Sequence, residues 1–232
     1  MAPCFDAHSH LSAAPLPPGA GPRVICGTQM SDWAEVLAQA ARDPREIPML
    51  GLHPWNVPQA DHHWSIELET LLKLHSVGVG ECGLDFAHRG ADIALQSEAF
   101  RIQLRMAHRH HRPLAIHAVH AWAPLLTLLR EEGVPPAGAL VHAFSGSADT
   151  ARTLQQLGVF LSFSGALLDE RRSKLHAALR AVEARWLLLE TDGQADLAEV
   201  LAGAARLRGV PEADLAAQTW ENGQRCFKEL LA

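Results

Sequence analysis

The sequence predicts an α/β chain folded as a single-domain (β/α)8 TIM barrel over residues 1–232. Two observations predict it. Eight short apolar runs, often preceded by Gly or Pro, are spread along 232 residues, and helix-forming stretches lie between them. Strands buried on both faces of a parallel sheet read as near-continuous apolar runs, and their alternation with helices is the pattern of this barrel. A doubly wound open sheet is the alternative arrangement of the same elements.

The predicted strands are 3–8 (Pro-Cys-Phe-Asp-Ala-His), 23–27 (Arg-Val-Ile-Cys-Gly), 47–52 (Ile-Pro-Met-Leu-Gly-Leu) and 76–81 (Ser-Val-Gly-Val-Gly-Glu). Four more follow at 113–117 (Pro-Leu-Ala-Ile-His), 138–142 (Gly-Ala-Leu-Val-His), 158–163 (Gly-Val-Phe-Leu-Ser-Phe) and 186–190 (Trp-Leu-Leu-Leu-Glu). Between the second and third, residues 31–42 read as a helix opened by the capping types Ser31 and Asp32. Residues 92–111, 121–132, 148–157, 169–184 and 195–208 are rich in Ala, Leu, Gln, Glu and Arg, all strong helix formers. A last helical pattern covers 211–231, with Pro211 near its start. The Pro-rich stretch 12–22 lies too near the start of the chain to divide domains and reads as a loop.

Composition narrows the function. With 48% hydrophobic and 20% charged residues the chain can bury a core, which excludes wholesale disorder. A formal net charge of -6 excludes a globally basic nucleic-acid binder, though not a local basic patch. No apolar run approaches the roughly 18 residues of a membrane helix. Met1–Asp6 has no basic or long apolar segment, so no secretory signal is expected. Cys4, Cys26, Cys82 and Cys226 are scattered without a CxxC pair, the usage of reduced thiols in a cytoplasmic protein.

The polar residues stand where the apolar runs stop. His8 and His10 close the first run, Glu81 the fourth, His117 the fifth and His142 the sixth, and Asp192 follows the eighth. In a barrel these strand ends open on one face, which holds the active site. Residues two apart in a strand share a side, so His8 and His10 can grip one ion together. Glu81 shares the parity of Val77 and Val79, leaving Gly78 and Gly80 for the face where helices pack close. Imidazoles with carboxylates suit Zn, Mn, Fe or Co better than Ca, and six such groups suit two ions sharing a carboxylate.

Each residue also has a plainer role. A strand-end His is often structural, Glu81 can pair with an Arg, and Asp192 can cap a helix; that all six should meet at strand ends for unrelated reasons is the poorer account. His53 ends the third run and is read as a substrate contact or as a packing partner of Pro54 and Trp55. His120, two residues beyond His117, either faces the same side or sits on the first turn of the next helix, the second being the preferred reading. Glu190 shares the parity of Asp192 and is expected to support a ligand, and Asp6 is expected to orient His8. The tract His108-Arg109-His110-His111-Arg112 and the pair His62-His63 read as solvated helix ends. Arg171, Arg172 and Lys174 read as a solvated helix face or as the best local phosphate-contact cluster.

Five segments together carry a family resemblance: Phe5-Asp6-Ala7-His8-Ser9-His10-Leu11, Gly51-Leu52-His53-Pro54, Gly80-Glu81-Cys82-Gly83-Leu84-Asp85-Phe86, Val141-His142-Ala143-Phe144-Ser145-Gly146 and Leu189-Glu190-Thr191-Asp192. With Gln96, Phe100, Gln103, Ala107, Asn222 and Phe227, they resemble, in order, the motif series of the TatD metal-dependent hydrolases, within the amidohydrolase-like barrels. The resemblance implies a deoxyribonuclease or phosphodiesterase, often acting from the 3′ end, with two divalent ions (Zn, Mn, Mg or Fe). It implies one ion on His8, His10, Glu81 and Asp192. It implies the other on Glu81, His117 and His142, with Glu81 bridging, and Asp192 as proton acceptor. The chain departs from the pattern at Ala118-Val119-His120-Ala121-Trp122 and at Gly193-Gln194-Ala195-Asp196-Leu197, where a long segment is missing. DNA or a small phosphodiester is the expected substrate, with no membrane and no obligate protein partner. An amide, ester or lactone hydrolase on the same barrel, and a non-catalytic metal-holding scaffold, are the alternatives the residues leave open.

Overall fold

The computed structural model describes residues 4–12, 14–87 and 92–231. Pro3 of the first predicted run, and His88, lie outside them. Eight parallel strands form one sheet in sequence order: β1 (Asp6–Ser9), β2 (Arg23–Cys26), β3 (Glu46–Leu50), β4 (Gly78–Asp85), β5 (Leu114–Val119), β6 (Ala139–Val141), β7 (Phe160–Phe163) and β8 (Leu187–Leu189). The helices between them are α1 (Met30–Ala40), α2 (Trp64–Leu74), α3 (Ile93–Arg109), α4 (Trp122–Glu132), α5 (Ala148–Gln156), α6 (Ser173–Ala181) and α7 (Leu197–Arg208), followed by α8 (Glu212–Cys226). The barrel is the observed arrangement, and the open sheet is not.

Three local readings change. No helix is predicted at α2, although His62-His63 is expected at a helix start and His63 does precede its first residue. Its signal is Leu68 and Leu72, four apart and both buried. The 169–184 pattern shortens to α6, because Asp169 accepts from the Arg171 backbone in a turn. Asp32 sits inside the first turn of α1, where its carboxylate accepts from the Thr28 backbone at 2.9 Å.

Two cores follow from strand alternation. Val24, Met49, Ala115, Leu140 and Leu188 face the lumen in one cluster with Phe5. Val79, Cys82, Leu84 and Ile116 face outward, in a second cluster with helix residues such as Phe100 and Leu104. Phe227, just past α8, plugs the lumen floor and stacks on Phe5 at 5.7 Å between ring centroids. Phe227→Ala is expected to lower stability by about 3–5 kcal/mol, the range for an emptied aromatic site. A fall in urea midpoint at unchanged slope checks it.

Among the described residues no ladder joins β8 to β1. The seam is closed instead by Asp192 N donating to His8 O at 3.1 Å and by Thr191, whose N and Oγ1 donate to the Asp6 carboxylate at 2.9 and 2.7 Å. Asp6 therefore clamps the seam, a role beyond the expected support of His8, whose backbone also bonds its carboxylate.

Candidate metal centre

Two bulges aim the site. Between β4 and β5 the register runs Val79↔Leu114, then Cys82↔Ile116, so β4 carries one extra residue. Between β1 and β2 it runs Asp6↔Arg23, then Ser9↔Ile25, again one extra on the first strand. A bulge re-aims the side chains that follow it. Ala7 and His8 can thus both serve the lumen side, and Glu81 points inward although Val79 and Cys82 on either side of it pack outward. This corrects the parity expected for Glu81: Val77 and Val79 face the helices, while Gly78 abuts Met49 of the lumen cluster and Gly80 abuts Ala115. Glu81 is also not the last residue of its strand, which continues to Asp85.

Glu81 is the hub, and its two oxygens divide the histidines. Oε2 lies 3.3 Å from His8 Nε2 and 3.5 Å from His10 Nε2. Oε1 lies 2.8 Å from His142 Nε2, 3.0 Å from His117 Nδ1 and 3.2 Å from His53 Nε2. Asp192 Oδ1 stands 3.6 Å from His10 Nε2. All six predicted ligand types therefore converge, from strands far apart in the chain.

The far side of each ring decides what the near side offers. His10 Nδ1–H donates to Cys26 O at 3.3 Å, leaving the Nε2 lone pair inward. His117 Nε2–H donates to Asp85 Oδ2 at 3.1 Å, leaving Nδ1 inward. His142 Nδ1 faces Glu190 Oε1 at 3.5 Å, the supporting place expected for Glu190. Glu190 is itself held by the Ala143 N–H at 2.8 Å and by the Ser162 hydroxyl. His53 differs. Its Nδ1 accepts the Trp55 backbone N–H at 3.2 Å, so its neutral ring carries the proton on Nε2 and donates to Glu81. His53 comes within 4.8 Å of a Glu81–His117 pair, yet presents a proton rather than a lone pair.

These donors fit divalent cations. His8 Nε2 is buried and makes no hydrogen bond despite its distance from Glu81. Burial, helped by the charge at His142, lowers the His8 pKa and keeps that ring neutral. Burial alone would also raise the Glu81 carboxyl, but the His142 charge and hydrogen bonds from three imidazoles hold it well below the ordinary carboxylate range. For His142 burial opposes charge, yet the neighbouring Glu81 pushes its pKa well above the ordinary imidazole value. The pocket thus calls for positive charge beside Glu81. A divalent cation supplies it and displaces the imidazole proton.

Sequence reasoning named Asp85 within a motif but gave it no role. Its Oδ2 accepts both His117 Nε2–H and, at 2.7 Å, Trp55 Nε1–H. Burial would raise its carboxyl, but these bonds hold it well below the ordinary range. The signal was present: Asp85 lies four residues beyond Glu81 and shares its face. Asp85→Asn is expected to weaken cation binding about 10–100-fold, the usual loss when a ligand's orienting carboxylate is removed. Competition with a chromogenic chelator checks it.

A cavity of about 310 Å³ opens over the cluster, lined by His10, Thr28, His53, Trp55, Asn56, Glu81, His117, His142, Asp192 and Gln194. Arg171, Arg172 and Lys174 do not line it, and Arg171 pairs with Asp169 at 2.9 Å. His120 is exposed between β5 and α4. His108 reaches Gly133 O, and Arg109 and His110 reach Glu69, as helix-end groups.

A family model described as TatD related DNase matches residues 5–228. The chain is 36% identical over 172 residues to a 3′-5′ ssDNA/RNA exonuclease TatD of Edwardsiella piscicida, covering 73% of this chain and 66% of that protein. It is 32% identical over 146 residues to an uncharacterized metal-dependent hydrolase, YabD, of Bacillus subtilis (strain 168), covering 62% and 56%. These matches span less than two thirds of either relative's length. The solved structure of YJJV, a TatD homologue from Escherichia coli k12, superposes with a TM-score of 0.89 at 27% identity, covering 97% of this chain and 98% of that one.

Proposed function

The chain belongs to the TatD family, and from that premise we propose that it is a two-cation hydrolase cleaving phosphodiester bonds at the end of single-stranded nucleic acid. The observation that carries the reading is the division of histidines between the two oxygens of Glu81. It supports one cation on His8, His10, Glu81 and Asp192 and a second on Glu81, His117 and His142. The relative described as a 3′-5′ ssDNA/RNA exonuclease supports the substrate class. The four cysteines are free, which fits a reducing compartment such as the cytoplasm. Among the described residues no helix is long and apolar enough to cross a membrane.

When bound, the cations supply Lewis-acid polarisation of a phosphoryl oxygen and acidify water, so that a nucleophile exists near neutral pH. The chain does the rest. Asp192 stands at the cavity with its Oδ1 beside His10. Burial would raise its carboxyl, but the His10 hydrogen bond and the charges at His142 and His8 hold it below the ordinary value, so it is ionised. Burial lowers the His53 pKa and keeps that ring neutral, with Nε2–H fixed toward Glu81 on the substrate side. Asp85 and Glu190 hold His117 and His142 in place.

The test is metal removal and return. Chelator-stripped protein is expected to lose activity on end-labelled single-stranded DNA and on bis(p-nitrophenyl) phosphate, and to regain it with Mn²⁺ or Zn²⁺. Recovery only on a carboxylic ester or lactone panel would overturn the phosphodiester reading.

A further inference from the structure

We propose that Trp55 is a base-stacking platform, which rests on the nucleic-acid reading above and names how that substrate is held. Trp55 lines the cavity and is 49% exposed, yet it is pinned. Its indole N–H donates to Asp85 Oδ2 at 2.7 Å, and its backbone N–H donates to His53 Nδ1 at 3.2 Å. A large apolar side chain held in one place while half exposed has lost its rotamer freedom without the full gain of burial. A rigid aromatic face beside a polar cluster is the usual form of a binding surface.

Its position fits a nucleobase. The Trp55 ring lies 4.9 Å from the His53 ring and 6.2 Å from the His117 ring, centroid to centroid. A phosphodiester held by cations seated on Glu81 and its imidazoles would therefore have the indole within one nucleotide's reach. The net charge of -6 also matters. An acidic chain gains no long-range attraction for a polyanion, so affinity must come from local contacts, and stacking is one that accepts any base. The same Asp85 oxygen that seats the indole orients His117, which ties the position of the platform to the cation site.

The test pairs a protein change with a substrate change. Mn²⁺-loaded wild type and Trp55→Ala are given single-stranded oligonucleotides that carry either a natural or an abasic terminal nucleotide at the digested end. Wild type is expected to lose about tenfold or more in kcat/KM on the abasic substrate, in line with stacking on one base. Trp55→Ala is expected to start lower and to lose under about threefold, because the contact is already gone. Trp55→Phe keeps an aromatic face and should retain most of the sensitivity to the base, which separates stacking from a folding defect. Equal losses in wild type and Trp55→Ala would overturn the platform alone. A wild type that cleaves neither oligonucleotide but hydrolyses a carboxylic ester would overturn the nucleic-acid reading, and the platform with it.

Discussion

Glu81→Ala is expected to lower kcat/KM on single-stranded DNA by about 10³-fold or more, roughly 4 kcal/mol of transition-state stabilisation. Glu81 is the one carboxylate within 3.5 Å of five imidazoles among the described residues. Without it the two groups of histidines have no shared anion, and neighbouring cations would repel with nothing between them. Cation content, measured by mass spectrometry, should fall with the activity. Glu81→Gln keeps the shape and removes the charge, so it should show the same loss while folding normally by near-ultraviolet circular dichroism. DNA cleavage that survives in both variants would point to a contaminating nuclease and sink the assignment.

Asp192→Asn is expected to cost about 10²–10⁴-fold in kcat, the usual contribution of a positioned acid–base group. The loss should come with much of the cation retained, since His8, His10 and Glu81 remain around it. The backbone favours this substitution. Asp192 sits at φ 52°, in the left-handed region that Asn tolerates well. Stability should therefore change by less than about 0.5 kcal/mol. Full activity in this variant would refute the proton-accepting role.

Both predictions rest on residues visible in the sequence, and the reason is local. Each ends an apolar run or follows one, and such runs recur with helices between them whatever the rest of the chain does. The pair His8 and His10 was legible because two-residue alternation holds over so short a distance. The role of Asp6 was not. It shares a strand with His8, but its partner is Thr191, 185 positions away in sequence. His53 was half legible: the sequence places it at the site, while the Trp55 N–H on its Nδ1 decides that it offers a proton and not a lone pair.

The sequence by itself determined the barrel, seven of its eight numbered helices in outline, and the six residues that meet at its mouth. Periodicity and composition are properties of neighbouring residues, and they survive without the fold. Only the tertiary structure decided which way those residues point and what each can do there. A bulge is a mismatch between two strands, so neither strand records it alone. The extra residue in β4 turns Glu81 inward against its apparent parity, and the one in β1 does the same for His8. Hydrogen bonds accepted by Asp85 and the Cys26 carbonyl, and the Glu190 carboxylate 3.5 Å from His142 Nδ1, then set the rings. Those partners lie on other strands, and closing the barrel is what brings them within reach.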